Sequence, residues 1–215
     1  MLPQPLENAA KLMSRTWKLS AARYSTSIKR TIFICFFYLI AMDASSNSSE
    51  LTLEQYASQP FGNIIFLRHA FAPGMDANGK PAKFNIDDCS TQRNLDATGK
   101  QQATLIGKNF GDNGIKFGII YSSQWCRCLE TGQLLNLGEV FPEASLNSGF
   151  KGLFIKEETL AKLRINLESL KSEKELVLMI THRSVISAIT GLNVKSGGAV
   201  AYDIKSKTSK IVLIE

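Results

Sequence analysis

The chain contains two histidines, and each stands directly after a short apolar run. The first run, Ile64-Ile65-Phe66-Leu67, breaks into Arg68-His69 and then into a loop rich in Gly, Pro and Asp. The second, Leu176-Val177-Leu178-Met179-Ile180-Thr181, breaks into His182-Arg183. Short apolar runs bounded by turn signals read as buried strands. Two strands that each deliver a histidine at the C-terminal end place both imidazoles at one edge of a sheet, in a shared site.

The rest of the pattern alternates around these runs. A linker covers 45–62, with one helical turn near 52–57, and the first strand follows at 63–68. Residues 71–94 form a long irregular loop, a length usually reserved for functional or disordered segments. Asp96 is placed to cap a helix reaching about 110, with Ala103, Ile106 and Phe110 on one face. A second strand at 117–121 ends in Ser122-Ser123 and leads into a helix over 124–136. After an irregular stretch at 138–155, Leu160, Leu163, Leu167 and Leu170 recur at helical spacing within 157–170. The third strand at 176–181, a helix at 183–190 and short strands at 199–204 and 210–214 finish the chain. Strands alternating with helices predict an α/β domain, a three-layer sandwich whose mainly parallel central sheet carries helices on both faces. In such sheets the ligand crevice lies beyond the carboxyl ends of the strands, where His69, Ser122-Ser123 and His182 all fall.

The net charge of +6 does not point to nucleic acid. Residues 1–44 hold six basic and two acidic side chains, which leaves 19 basic against 17 acidic in the remainder. A domain so balanced has no basic footprint, and no nucleic-acid partner is expected. The basic N-terminal segment precedes a 12-residue apolar run at 31–42 and then small polar residues. That order matches a secretory signal peptide and predicts export, to the periplasm, with residues 1–44 removed. The alternatives are an uncleaved N-terminal anchor, the one expected contact with a membrane, and an organellar transit peptide. The latter is favoured by the Ser, Lys and Arg of residues 8–30, which include no acid. Cys35 belongs to the apolar run, so Cys89, Cys126 and Cys128 remain, open to one disulfide and one free thiol or to three buried thiols. Cys126-x-Cys128 lacks metal-ligand spacing, and no histidine remains free to complete a zinc site.

Chemistry concentrates in three places. Arg68-His69 offers an imidazole that can attack an electrophile beside a guanidinium fork that matches phosphate oxygens. If Ser123 caps the following helix, Arg127 sits in the first turn, where free N–H groups and the dipole already favour an anion. His182 opens the next helix and would complete a positive cluster with Arg68, Arg127 and His69. Two arginines and two histidines converging on one point repel one another unless an anion joins them, the mark of a phosphate site.

These residues resemble the histidine phosphatase superfamily, with its phosphoglycerate-mutase-like fold. Leu67-Arg68-His69-Ala70 is similar to the Arg-His-Gly signature of that family. Gln92-Arg93-Asn94-Leu95 with Thr98-Gly99 is similar to the segment opening its first helix. Ser122-Ser123 through Arg127 to Glu130-Thr131 resembles its Ser-Ser-x-x-x-Arg block, and Val177 through His182 to Thr190-Gly191 its last strand and histidine. The four blocks stand in family order within 63–204, so 63–215 is expected to be a histidine phosphatase domain.

The resemblance implies His69 as nucleophile, forming a phosphohistidine that water hydrolyses. Arg68, Arg127 and His182 would bind and polarise the phosphoryl group, with Ser122 and Arg93 as further substrate-binding residues. The resemblance implies no metal or organic cofactor, and the expected activity is a metal-independent phosphatase acting on a small-molecule or protein phosphomonoester or on phosphohistidine. The departures concern the proton donor. The glutamate of the mutase branch has no counterpart in 141–150, and Arg183 stands where the acid phosphatases carry aspartate. Asp76, Asp88, Glu143 and Glu157 remain candidates without positional support. The absence of an assigned acid keeps open a catalytically inactive protein that retains the pocket and binds a phosphate ligand.

Overall fold

A computed structural model describes residues 49–74, 85–149 and 156–214. The expected signal peptide lies outside the described residues, as does Asp76. Among the described residues no helix is long and apolar enough to cross a membrane.

The sheet is built around β2 (Ile64–Arg68) and β5 (Val177–Thr181), the two apolar runs. They pair in parallel with Arg68 opposite Thr181, so both chains leave the sheet at the same level, one residue before each histidine. β3 (Ile119–Ser122) lies parallel to β5 on its other side, and β4 (Val140–Pro142) lies parallel to β3. Beyond β2 come β6 (Ala199–Asp203), β7 (Thr208–Leu213) and β1 (Glu50–Thr52), giving the order β1-β7-β6-β2-β5-β3-β4. β6 alone runs against the rest of this seven-stranded sheet.

Alternation along the central strands divides the core in two. Ile65 and Leu67 of β2 and Leu178 and Ile180 of β5 face one side, packed with α1 (Leu53–Ser58), α2 (Ala97–Asp112) and α3 (Cys126–Leu135). Ile64 and Phe66 with Val177 and Met179 face the other, against α4 (Lys156–Ser169) and α5 (Arg183–Thr190). Strands buried on both faces need the continuous apolar runs seen here. The three-layer α/β sandwich is therefore the observed architecture. Leu160, Leu163 and Leu167 form the buried stripe of α4, while Leu170 begins a short 3-10 turn beyond it. Asp96 caps α2, its carboxylate accepting from the Gly99 N–H at 2.8 Å.

Of the linker expected over 45–62, the described residues from 49 onward carry regular structure. Glu50–Thr52 adds an edge strand alongside β7, and Thr52 caps α1 with a reciprocal capping box through Gln55. Leu53 and Tyr56 of this helix are buried in the core, so the segment is part of the domain. β4 is likewise an edge strand, within a stretch read as irregular. The described parts of the 71–94 loop hold one 3-10 turn, Cys89–Thr91.

Candidate active site

His69 and His182 meet at the C-terminal edge of the central strands, ring centroids 5.4 Å apart. Their backbones are locked by the sheet, since the His69 N–H donates to the Thr181 carbonyl at 3.0 Å. The His69 ring is turned by its own chain, with Nδ1 2.7 Å from the Ala70 carbonyl. A carbonyl only accepts, so Nδ1 carries the proton and Nε2 presents a lone pair. Ala70 is itself held, its N–H donating to Thr131 Oγ1 at 3.1 Å, while the same hydroxyl donates to the Arg127 carbonyl at 2.6 Å. Thr131 thus ties the loop after β2 to α3.

Arg127 lies in the first turn of α3 and is 6% exposed, so it is a buried side chain and not a surface arginine. Glu130 pairs with Lys100 at 2.9 Å. The Arg127 guanidinium bridges the two imidazoles, Nε donating to His69 Nε2 and Nη2 to His182 Nδ1, each at 3.1 Å. It also lies over the Trp125 ring at 4.4 Å. Ser123 does not cap α3: Trp125 is the N-cap and makes no side-chain cap bond. The Ser123 hydroxyl turns to His182, 2.9 Å from Nε2.

A cleft of about 510 Å³ opens over these groups, lined also by Arg68, Arg93, Arg183, Ser184, Ser187 and Asn193. Arg68 is half-buried; Nη1 donates to the Val194 carbonyl at 2.9 Å, and Nε is buried without a hydrogen-bond partner among the described residues. Arg93 reaches the cleft from the loop before α2. Ser122 does not. Its side chain is buried at the end of β3 and donates to the Ser123 carbonyl at 2.9 Å, so the expected substrate contact is corrected. The lining groups among the described residues include no carboxylate. Asp88 caps the turn at Cys89–Thr91, and Glu143 caps the turn at Ala144–Leu146 and lines a different cleft. Among the described residues no three His, Cys, Asp or Glu side chains gather as a metal site.

Burial and like charge set the protonation states. The His69 pKa falls to about 3, first because the ring is buried and then because Arg127 adjoins it. His182 falls well below the usual imidazole value, by burial and then by Arg127 and His69. Arg127 drops to about 10, chiefly by burial, and stays charged at neutral pH. Unfolded imidazoles protonate near 6.5, so below that pH the unfolded chain binds protons that the folded, empty site refuses. This contribution to stability is present above pH 6.5 and is lost as pH falls toward about 3. Each imidazole should steepen the loss by about 1.4 kcal/mol per pH unit within that window. Urea denaturation at pH 7 and pH 5 should show the loss, reduced in His69→Gln; equal acid sensitivity of the two proteins would contradict it.

Cys89 and Cys126 form a disulfide, and Cys128 is a buried free thiol. The bridge ties the loop carrying Arg93 to the first residue of α3, beside Arg127. Gln92 adds to it, its Oε1 accepting from the Cys126 N–H at 3.0 Å while Nε2 donates to the Asn85 and Ile86 carbonyls. For a bridge across 37 positions, reduction should cost about 4 kcal/mol by the chain-entropy relation. Denaturation with and without a dithiol reductant checks this, with Cys89→Ser as control; coincident curves would contradict it.

Sequence reasoning missed Ser123 as the partner of His182, together with Asn147, Thr131 and Gln92. Asn147 lies in a stretch with no periodicity, and only contact across the fold gives it meaning.

The fold is phosphoglycerate-mutase-like. A candidate alpha-ribazole-5'-P phosphatase from Escherichia coli K-12 matches with a TM-score of 0.51 and 16% identity, over 71% of this chain and 95% of that one. A phosphoserine phosphatase mutant from Entamoeba histolytica, in complex with phosphoserine, is 19% identical, with a TM-score of 0.49 over 69% and 93%. The protein histidine phosphatase SixA complexed with tungstate is 17% identical, with a TM-score of 0.47 over 69% and 92%. No protein-family profile matches the sequence, and no curated protein does.

Proposed function

We propose that the protein is a metal-independent phosphatase that hydrolyses a phosphomonoester or a phosphohistidine through a phosphohistidine on His69. The observation that carries this reading is the orientation of His69, whose Nε2 lone pair meets the Arg127 guanidinium beside a cleft lined by three further arginines. Buried cations in a site with no carboxylate among its described lining residues gain most from an anionic guest. A phosphoryl group entering the cleft takes over the N–H donors that Arg127 now spends on the imidazoles. The freed Nε2 pair attacks phosphorus, Arg68 and Arg127 hold the spreading charge on the phosphoryl oxygens, and water then cleaves the N–P bond. The fold likeness to a candidate phosphatase agrees with this chemistry. The intact orientation of His69 speaks against a pocket kept for binding alone.

The substrate belongs to the small-molecule or protein phosphate esters and phosphoramidates, and the loop bearing Arg93 contributes to its choice. An exported protein in an oxidising compartment is our proposal for location, supported by the Cys89–Cys126 bridge and the basic-then-apolar N-terminal sequence. N-terminal sequencing of the protein from its source cell tests cleavage; an intact N-terminus would refute it. For activity, the test is release of inorganic phosphate from a panel of phosphomonoesters and phosphohistidine, with and without EDTA. Turnover unaffected by EDTA is expected. No turnover on any substrate would refute the enzyme reading, and loss of turnover with EDTA would refute metal independence.

A further inference from the structure

His182 is held from behind by a chain of hydrogen bonds whose directions follow from one fixed donor. The Gln124 backbone N–H donates to Asn147 Oδ1 at 2.9 Å, which makes that atom an acceptor. The Ser123 hydroxyl, 2.8 Å from the same oxygen, therefore spends its single proton there. Its lone pairs remain for the Trp125 N–H at 3.3 Å and for His182 Nε2 at 2.9 Å. Nε2 is thus the protonated nitrogen of His182, and Nδ1 meets Arg127 Nη2 with a lone pair. Asn147 is fixed in turn, its Nδ2 donating to Gln124 Oε1 at 2.8 Å. The two imidazoles are locked in opposite tautomers, both lone pairs on the one guanidinium.

A lone pair at Nδ1 cannot bond a phosphoryl dianion, whose oxygens also only accept. We propose that the site binds a phosphoryl dianion together with one proton taken up on His182 Nδ1, and that this proton is delivered to the leaving group, with Ser123 and Asn147 as positioning residues. This rests on the phosphatase reading and supplies a proton that no carboxylate lining the cleft among the described residues gives. In the first step the His69 Nε2 pair forms the N–P bond, the P–O bond to the leaving group breaks, and the departing oxygen takes the His182 proton. In the second, water attacks phosphorus and gives a proton back to Nδ1, and the N–P electrons return to His69.

The groups around His182 explain why the proton waits for the substrate. Arg127 faces it from α3, His69 and Arg68 from the end of β2, and Arg93 from the loop before α2. Arg183 follows it in the chain and lines the same cleft. Cys128, whose Sγ lies 3.5 Å from Nε2, is a thiol pushed up to about 12 and carries no charge at neutral pH. The charged neighbours are cations, so the empty site rejects a proton that a bound dianion attracts.

Because the chain has two histidines, their ring nitrogens can be read without ambiguity. In protein labelled with nitrogen-15 histidine, His182 should show the Nε2–H tautomer and His69 the Nδ1–H tautomer. Tungstate, a dianion across pH 7–9, should convert His182 to the doubly protonated ring. Its affinity should fall about tenfold per pH unit, the mark of one linked proton. Asn147→Ala frees Ser123 to donate to Nε2, so the His182 proton should move to Nδ1, uptake should vanish and turnover of alkyl phosphates should fall more than that of aryl phosphates. Asn147→Asp keeps the acceptor and should keep both tautomer and uptake. An Nδ1–H tautomer in the unaltered protein, binding without uptake, or uptake retained in folded Asn147→Ala would overturn the proposal. Failure of tungstate to bind at all would refute the phosphate site itself.

Discussion

His69→Ala should reduce turnover by at least about 10⁴-fold on every substrate, while the protein remains folded. The ring is 2% exposed, but its packing sits at the edge of the core rather than within it. What the substitution removes is a lone pair held by the Ala70 carbonyl in the one orientation that faces Arg127. Among the described residues no other nucleophile stands in its place. Ser123 is committed to Asn147 and His182, and the Cys128 thiol is buried and protonated at neutral pH. Substrate affinity should survive, because the arginines remain. Initial rates, binding of inorganic phosphate and a thermal melt for the two proteins check this, and a residual rate within tenfold would contradict it.

Arg127→Lys should lower kcat/KM by about 10²–10³-fold although it conserves charge. The guanidinium spans both imidazoles through two different nitrogens and stacks on Trp125. An ammonium is a point charge and cannot address two partners in one plane, nor later two phosphoryl oxygens. Arg127→Ala should cost at least as much and should also change the acid behaviour of the site. After burial, Arg127 is the next cause depressing both His69 and His182, so both pKa values should move up toward the ordinary range in this variant. Steady-state kinetics of both variants, with histidine titration by NMR, separate the two effects. Full activity in the lysine variant would contradict the bridging role.

The parts of this fold legible in the sequence are those where burial is two-sided. Residues 64–67 and 177–180 are apolar throughout because helices cover both faces, and such runs announce themselves. Glu50–Thr52 and Val140–Pro142 escaped because each is an edge strand, three residues long and mostly exposed or half-buried. The site divides in the same way. Arg68, His69, Arg127 and His182 were readable because strand ends and a helix start assign them to one edge, whereas Arg93, in the loop before α2, was named only through the resemblance. Ser122 and Ser123 were separable only by contacts: one hydroxyl turns back to the chain and the other reaches a histidine 59 positions away. Cysteine pairing was open for the same reason, since nothing local says that Cys89 meets Cys126 rather than Cys128.

The central claim is that phosphorus becomes bonded to His69. Rapid quenching in base during turnover of a phosphorus-32-labelled phosphomonoester, followed by peptide mapping, addresses it directly. The expected result is label that is stable in base and labile in acid, carried on the peptide containing His69 and absent from His69→Ala. Label on any other residue, or label of equal amount in His69→Ala, would contradict it.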